Sequence, residues 1–101
     1  MARRIVWSPR AKQDLVRAWD YYARVASLEI ADTLVHEIAA TARRLDARPF
    51  LGRVREDVKP GLRSLLAHPY TLFYRVTETR VEIVRVLHER RDFASILGQQ
   101  R

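Results

Sequence analysis

The chain has 101 residues, 48% of them hydrophobic, and a formal net charge of +7. That length and apolar content suit one compact domain. The absence of cysteine excludes disulfides, thiolate catalysis and cysteine-ligated zinc, and suits a reducing cytoplasm.

The first apolar run, Ile5-Val6-Trp7, is β-branched and aromatic and predicts a short strand. Ser8-Pro9 then reads as a helix start: the hydroxyl takes an orphan N–H, and proline at the first helical position has none to lose. Ala11, Leu15, Ala18, Trp19 and Tyr22 share one face of a helix over about 9–25, with Lys12, Asp14, Arg17 and Arg24 off that face. Ser27 predicts a second N-cap. Ala31, Leu34, Val35, Ile38, Ala39, Ala42 and Leu45 form a cleaner stripe, Arg43, Arg44 and Arg48 fall in the last turns, where cations suit the dipole, and Pro49 stops the helix. So short a connection makes an antiparallel helical hairpin. Residues 49–61, with two prolines and two glycines, predict a long loop. Three strands follow at 62–67, 70–76 and 81–88, with a turn at His68-Pro69 and a hairpin loop at 77–80. The order β-α-α-β-β-β predicts an α+β domain: the hairpin covers one face of a small antiparallel sheet that the first strand joins, and the other face and rim are left for function. Asp92 reads as the N-cap of a short final helix in which Phe93, Ile96 and Leu97 pack back.

Among the nineteen basic residues only Lys12 and Lys59 are lysine. Arginine suits planar, bidentate contacts to carboxylate and phosphate, so the surface implies an acidic partner. In the 76/81 hairpin register Arg75 faces Glu82, which predicts a cross-strand ion pair, Tyr74 faces Ile83, and Leu72 faces Arg85. Arg85 has no cross-strand acid and must reach the rim, find a carboxylate elsewhere or line a groove. His88, at the strand end before Glu89-Arg90-Arg91-Asp92, is either a structural hydrogen-bonding residue or a general acid or base.

Much chemistry is excluded. No phosphate-cradling glycine loop exists, His36, His68 and His88 lack metal-ligand spacing, and no nucleophile triad is readable, so neither a metal nor a cofactor is expected. No opening segment resembles a signal peptide, and no apolar run is long enough for a membrane span, which predicts a soluble cytoplasmic chain. The one enzyme class left open is metal-free phosphodiester cleavage, for which His88, Tyr70, Tyr74, Arg63, Arg75 and Arg85 are the available cast; arginine cannot shuttle the proton. A direct nucleic-acid binder ranks last, because no recognition helix has a clear basic face.

The stretches "WSPRAKQDLVRAWDYYA", "RPFLGRVRE", "GLRSLLAHPYTLFYRV" and "VEIVRVLHERRD" together resemble the ParE branch of the RelE/ParE toxins of type II toxin–antitoxin systems, over nearly the whole chain. The resemblance implies a cognate acidic antitoxin whose C-terminal segment wraps the toxin. ParE-like members are similar to poisons of DNA gyrase, whereas RelE-like members cleave messenger RNA on the ribosome. The ribonuclease branch carries arginine directly after the tyrosine matching Tyr70, where this chain has Thr71. The reading is therefore a gyrase-directed toxin without catalysis. Arg63, Arg75, Arg85, His88, Arg90 and Arg91 are its expected contacts with target or antitoxin. The alternative is a ribosome-dependent endoribonuclease using His88, Tyr74 and Arg85.

Overall fold

A computed structural model describes residues 3–98. The elements in chain order are β1 (Arg4–Trp7), α1 (Pro9–Val25), α2 (Leu28–Ala47), β2 (Arg53–Val54), β3 (Arg63–Ala67), β4 (Tyr70–Val76), β5 (Arg80–His88) and α3 (Phe93–Gly98). The five strands form one sheet in the order β1-β5-β4-β3-β2. The α+β architecture with a helical hairpin on the sheet is as expected, and β1 joins it as an edge strand parallel to β5, so the sheet is mixed.

Both helix starts form as the sequence predicts. The Ser8 hydroxyl accepts from Ala11 N–H at 3.0 Å and donates to Val84 O at 2.8 Å, so one side chain caps α1 and ties it to β5. Ser27 accepts from Ile30 N–H at 3.1 Å. Trp19 Nε1 donates to Asp32 Oδ1 at 2.8 Å, joining α1 to α2 near the exposed end of the hairpin. Asp92 caps α3 by accepting from Ser95 N–H at 3.1 Å.

The main core lies between hairpin and sheet. Ala11, Ala18, Leu34, Ile38, Ala42 and Leu45 from the helices meet Leu72, Tyr74, Val81, Ile83 and Val86 from the strands. Alanine at three of these helix positions lets the backbones approach the sheet closely. The sheet's second face differs from expectation: it is not left open. Phe73, Leu87 and Leu62 are covered by Leu97 of α3, with Phe93, Ile96 and Val58 at the margin. A nine-residue strand with a period-two apolar pattern on both faces needs cover on both.

The 49–61 segment also differs from a plain loop. It contains β2, which pairs Arg53 with Ser64 and Val54 with Arg63, and Arg55 N–H extends the ladder to Leu62 O at 2.8 Å. Two paired residues are too few to give a periodicity signal. Gly61 holds φ +77°, a left-handed conformation that glycine adopts without a Cβ penalty, and its N–H donates to Glu56 Oε2 at 2.6 Å. The His68–Pro69 peptide is cis.

Candidate functional site

The hairpin register holds at its loop end. Val76 pairs with Val81, Arg75 with Glu82 and Tyr74 with Ile83. Beyond Tyr74 a bulge shifts it, so Arg85 faces Phe73 and Leu72 faces Val86, not Arg85. One extra residue on β5 is the physical reason: Val84 has no opposite number, and the strand turns there. Nor does the Arg75–Glu82 pairing carry the expected ion pair. Glu82 Oε2 binds Arg80 Nη2 at 2.9 Å, two residues along on the same face of β5.

Arg85 finds its carboxylate on α1. Its Nε and Nη2 donate to Asp14 Oδ2 and Oδ1 at 2.8 and 3.0 Å, and Val86 N–H donates to the same Oδ2 at 2.9 Å. Asp14 and Arg85 are only 7% and 6% exposed. The bulge makes the third bond available, because it turns an N–H out of the ladder toward the helix. Asp14, which helical periodicity puts off the apolar face, is therefore buried.

Tyr74 is also committed. It is fully buried, and its hydroxyl accepts from Gly52 N–H at 2.7 Å. Burial raises its pKa above the ordinary 10.0, with the Gly52 N–H and the Arg63 charge acting in the opposite sense. Arg63 Nη1 donates to Gly52 O at 2.9 Å, and its guanidinium lies 5.0 Å from the centre of the Phe50 ring. Arg3 approaches the same exposed ring at 5.5 Å. Gly52 thus sits between Tyr74 and Arg63, and both of its backbone polar groups are used.

His88 is half-buried at the far end of β5, edge-on to Tyr70 at 5.4 Å. Its Nδ1 accepts from Arg90 N–H at 3.2 Å, and Arg91 N–H donates to His88 O at 2.9 Å. Those bonds curl the chain back and leave Arg90 and Arg91 exposed. Tyr70 is buried against α1, which raises its pKa, with Tyr22 contributing next.

The six residues expected to contact target or antitoxin fall in two places on the sheet. Arg63 and Arg75 lie at the β4–β5 loop end of the sheet; His88, Arg90 and Arg91 lie at the other end of β4, where Tyr70 pairs with His88. Four to five residues of β4, from Tyr70 to Tyr74 and Arg75, separate them by about 15 Å. Arg85, opposite Phe73 in the middle of β4, lies inside the protein with its side chain on the same cavity as His88. Asp14, Arg17, Tyr70, Arg85, His88 and Arg91 meet around a small cavity of about 110 Å³ between α1 and β5. A larger, more apolar groove of about 470 Å³ runs beside it, bounded by Tyr22, Ile30, Leu34 and Pro69 with Glu29 and Glu37 on its margin. Sequence reasoning missed Asp14 and Arg17. The usable signal was an acid three residues before a base on the helix that must pack against the arginine-bearing strand. Among the described residues, no group of three or more histidine, aspartate or glutamate side chains is placed to hold a metal ion.

A helical hairpin on a mixed sheet with a short parallel edge strand, in which β5 ends at His88 and runs into Glu89-Arg90-Arg91, is the fold seen in solved RelE/ParE-type toxins. The chromosomal ParDE toxin–antitoxin system from P. aeruginosa superposes with a TM-score of 0.77 at 25% identity, over 86% of this chain and 96% of that one. The YoeB dimer from Staphylococcus aureus shares the fold at a TM-score of 0.59 and 19% identity, over 87% of this chain and 98% of that one. The sequence profile of the "ParE toxin of type II toxin-antitoxin system, parDE" matches residues 5–93, and the chain belongs to that family. It is 38% identical over 93 residues to toxin ParE1 of Mycobacterium tuberculosis, covering 91% of this chain and 95% of that protein.

Proposed function

We propose that this toxin acts in the cytoplasm by binding DNA gyrase and that a cognate acidic antitoxin silences it. Its membership of the ParE family supports the toxin role. One structural observation supports binding over catalysis. Of the three residues that the ribonuclease alternative relies on, Tyr74 spends its hydroxyl on Gly52 inside the core and Arg85 spends its guanidinium on Asp14. A substrate phosphate would have to displace a buried bidentate carboxylate, and strand its charge, to reach Arg85. That leaves His88 without the tyrosine and the arginine that the ribonuclease reading pairs with it, and Arg17 and Arg91 on the same cavity can bind charge but cannot carry the second proton.

The contacts on this reading are the exposed Arg90 and Arg91 beside His88 at one end of the sheet and the half-buried Arg63 and Arg75 at the other. Arg85 supports the first group from beneath. The test is to incubate the purified chain with gyrase, supercoiled plasmid and ATP and to denature the products. A linear DNA band that scales with the chain and disappears on adding antitoxin is the expected result. Cleavage of messenger RNA in translating ribosomes, with gyrase unaffected, would overturn the proposal.

A further inference from the structure

The cavity between α1 and β5 has a composition that its structural role does not explain. Asp14 is its one acid, and the two oxygens of that acid already accept from Arg85 Nε, Arg85 Nη2 and Val86 N–H. The other polar side chains around it are three arginines, a histidine and the Tyr70 hydroxyl, which can donate. Arg17 and Arg91 stand exposed on opposite sides, one on α1 and one after β5. His88 uses Nδ1 as an acceptor, so its neutral ring carries the hydrogen on Nε2 and is a donor there. Two exposed arginines across a small opening repel each other, and the buried pair beneath them is already neutralised. An anion between them removes that repulsion and satisfies several donors at once.

We infer that this cavity is a socket for one carboxylate side chain, an aspartate or glutamate supplied by an acidic segment of a protein partner. The inference rests on reading the His88 end of the sheet as a partner-binding surface. Size and surroundings select the ligand. A cavity of about 110 Å³ holds the equivalent of roughly three or four waters, the space of a carboxylate with a methylene or two. The apolar groove continues from it, since Tyr22 lies one helical turn beyond Ala18 and Pro69 precedes Tyr70. Glu29 and Glu37 stand on that groove's margin. A nucleic acid carries phosphates in series and would meet those acids next. A peptide that places one acid in the socket and apolar residues along the groove matches both.

The isotope-labelled full chain, titrated with sodium acetate at fixed ionic strength and followed by NMR, tests the socket directly. The expected result is saturable shifts at the amides of His88 to Arg91 and at the side-chain N–H groups of Arg17 and Arg91. The doubly substituted Arg17→Glu/Arg91→Glu chain should bind acetate at least about tenfold more weakly. Arg43→Glu/Arg44→Glu, which makes the same change in net charge on an exposed part of α2, should bind as the parent does. Absence of saturable shifts, or equal weakening in both variants, overturns the inference. Saturation by phosphate or a short single-stranded oligonucleotide where acetate fails overturns the carboxylate assignment and points to nucleic acid. The gyrase assay reads the target separately. A chain that binds acetate here but leaves gyrase untouched keeps the socket and loses the target; a gyrase poison whose socket ignores acetate does the reverse.

Discussion

Asp14 and Arg85 face each other with two charge-assisted bonds inside the protein, seventy-one positions apart in the chain. Removing one partner strands the other charge in a medium that solvates it poorly. Asp14→Ala should therefore lower stability by about 3–5 kcal/mol, while Asp14→Leu with Arg85→Met should recover most of the loss. Chemical denaturation of both variants measures this. At Gly52, a Cβ would come within 2.5 Å of both Ser64 O and Tyr74 Oη. Backbone on one side and a fully buried ring on the other leave little room to yield. Gly52→Ala should cost about 1–3 kcal/mol by the same measurement. Tyr74 gives a third expectation. Its pKa is raised on folding, mainly by burial, so the neutral hydroxyl belongs to the folded state. That contribution is complete below the unfolded pKa of about 10 and is lost as pH rises through the folded value. Stability should fall on the alkaline side, and less steeply in Tyr74→Phe.

At the scale of elements, α3 is the informative case. It has six residues, too few to be stable alone, and persists by docking. Phe93 meets Phe73 edge-on at 4.8 Å, Leu97 is buried, and the Arg55 guanidinium lies over both rings at 5.7 and 5.8 Å. Phe93→Ala should release α3 and expose Phe73 and Leu87, at a cost of about 3 kcal/mol. Hydrogen exchange should then show faster opening at Ile96 and Leu97, with β4 and β5 protection retained. The elements themselves were largely legible. Ser8-Pro9, Ser27 and Asp92 marked three helix starts because capping depends on local chain chemistry. The helical stripe Ala31-Leu34-Ile38-Ala42-Leu45 marked the buried face of α2 for the same kind of reason. β2 was not legible, since two residues against β3 are defined by their partner and not by their own pattern.

At the scale of the molecule, the excess positive charge is distributed to both ends of the sheet. His88, Arg90 and Arg91 sit at one end. Arg63 and Arg75 sit at the other, with Arg63 and Arg3 flanking the Phe50 ring. On the proposed reading, an acidic antitoxin would meet cations at both ends of the sheet. The association rate with such a partner should fall by about tenfold or more from low to high salt, with dissociation changing much less, as stopped-flow mixing would show. Among the described residues, no helix is long and apolar enough to cross a membrane.

The sequence by itself determined the helical hairpin, the three-strand meander, the loop-end register of β4 against β5 and the likeness to ParE toxins. Each depends on near-neighbour periodicity, on caps or on a full-length pattern. The tertiary structure decided which charges are available. Arg85 is drawn inside by an aspartate on a distant helix, and a one-residue bulge brings Val86 N–H to the same carboxylate. Tyr74 is closed by a glycine in a segment that reads as a loop. A side chain is free or committed according to what lies across from it, and a bulge and a long-range ion pair set that opposition without leaving a periodic trace in the sequence.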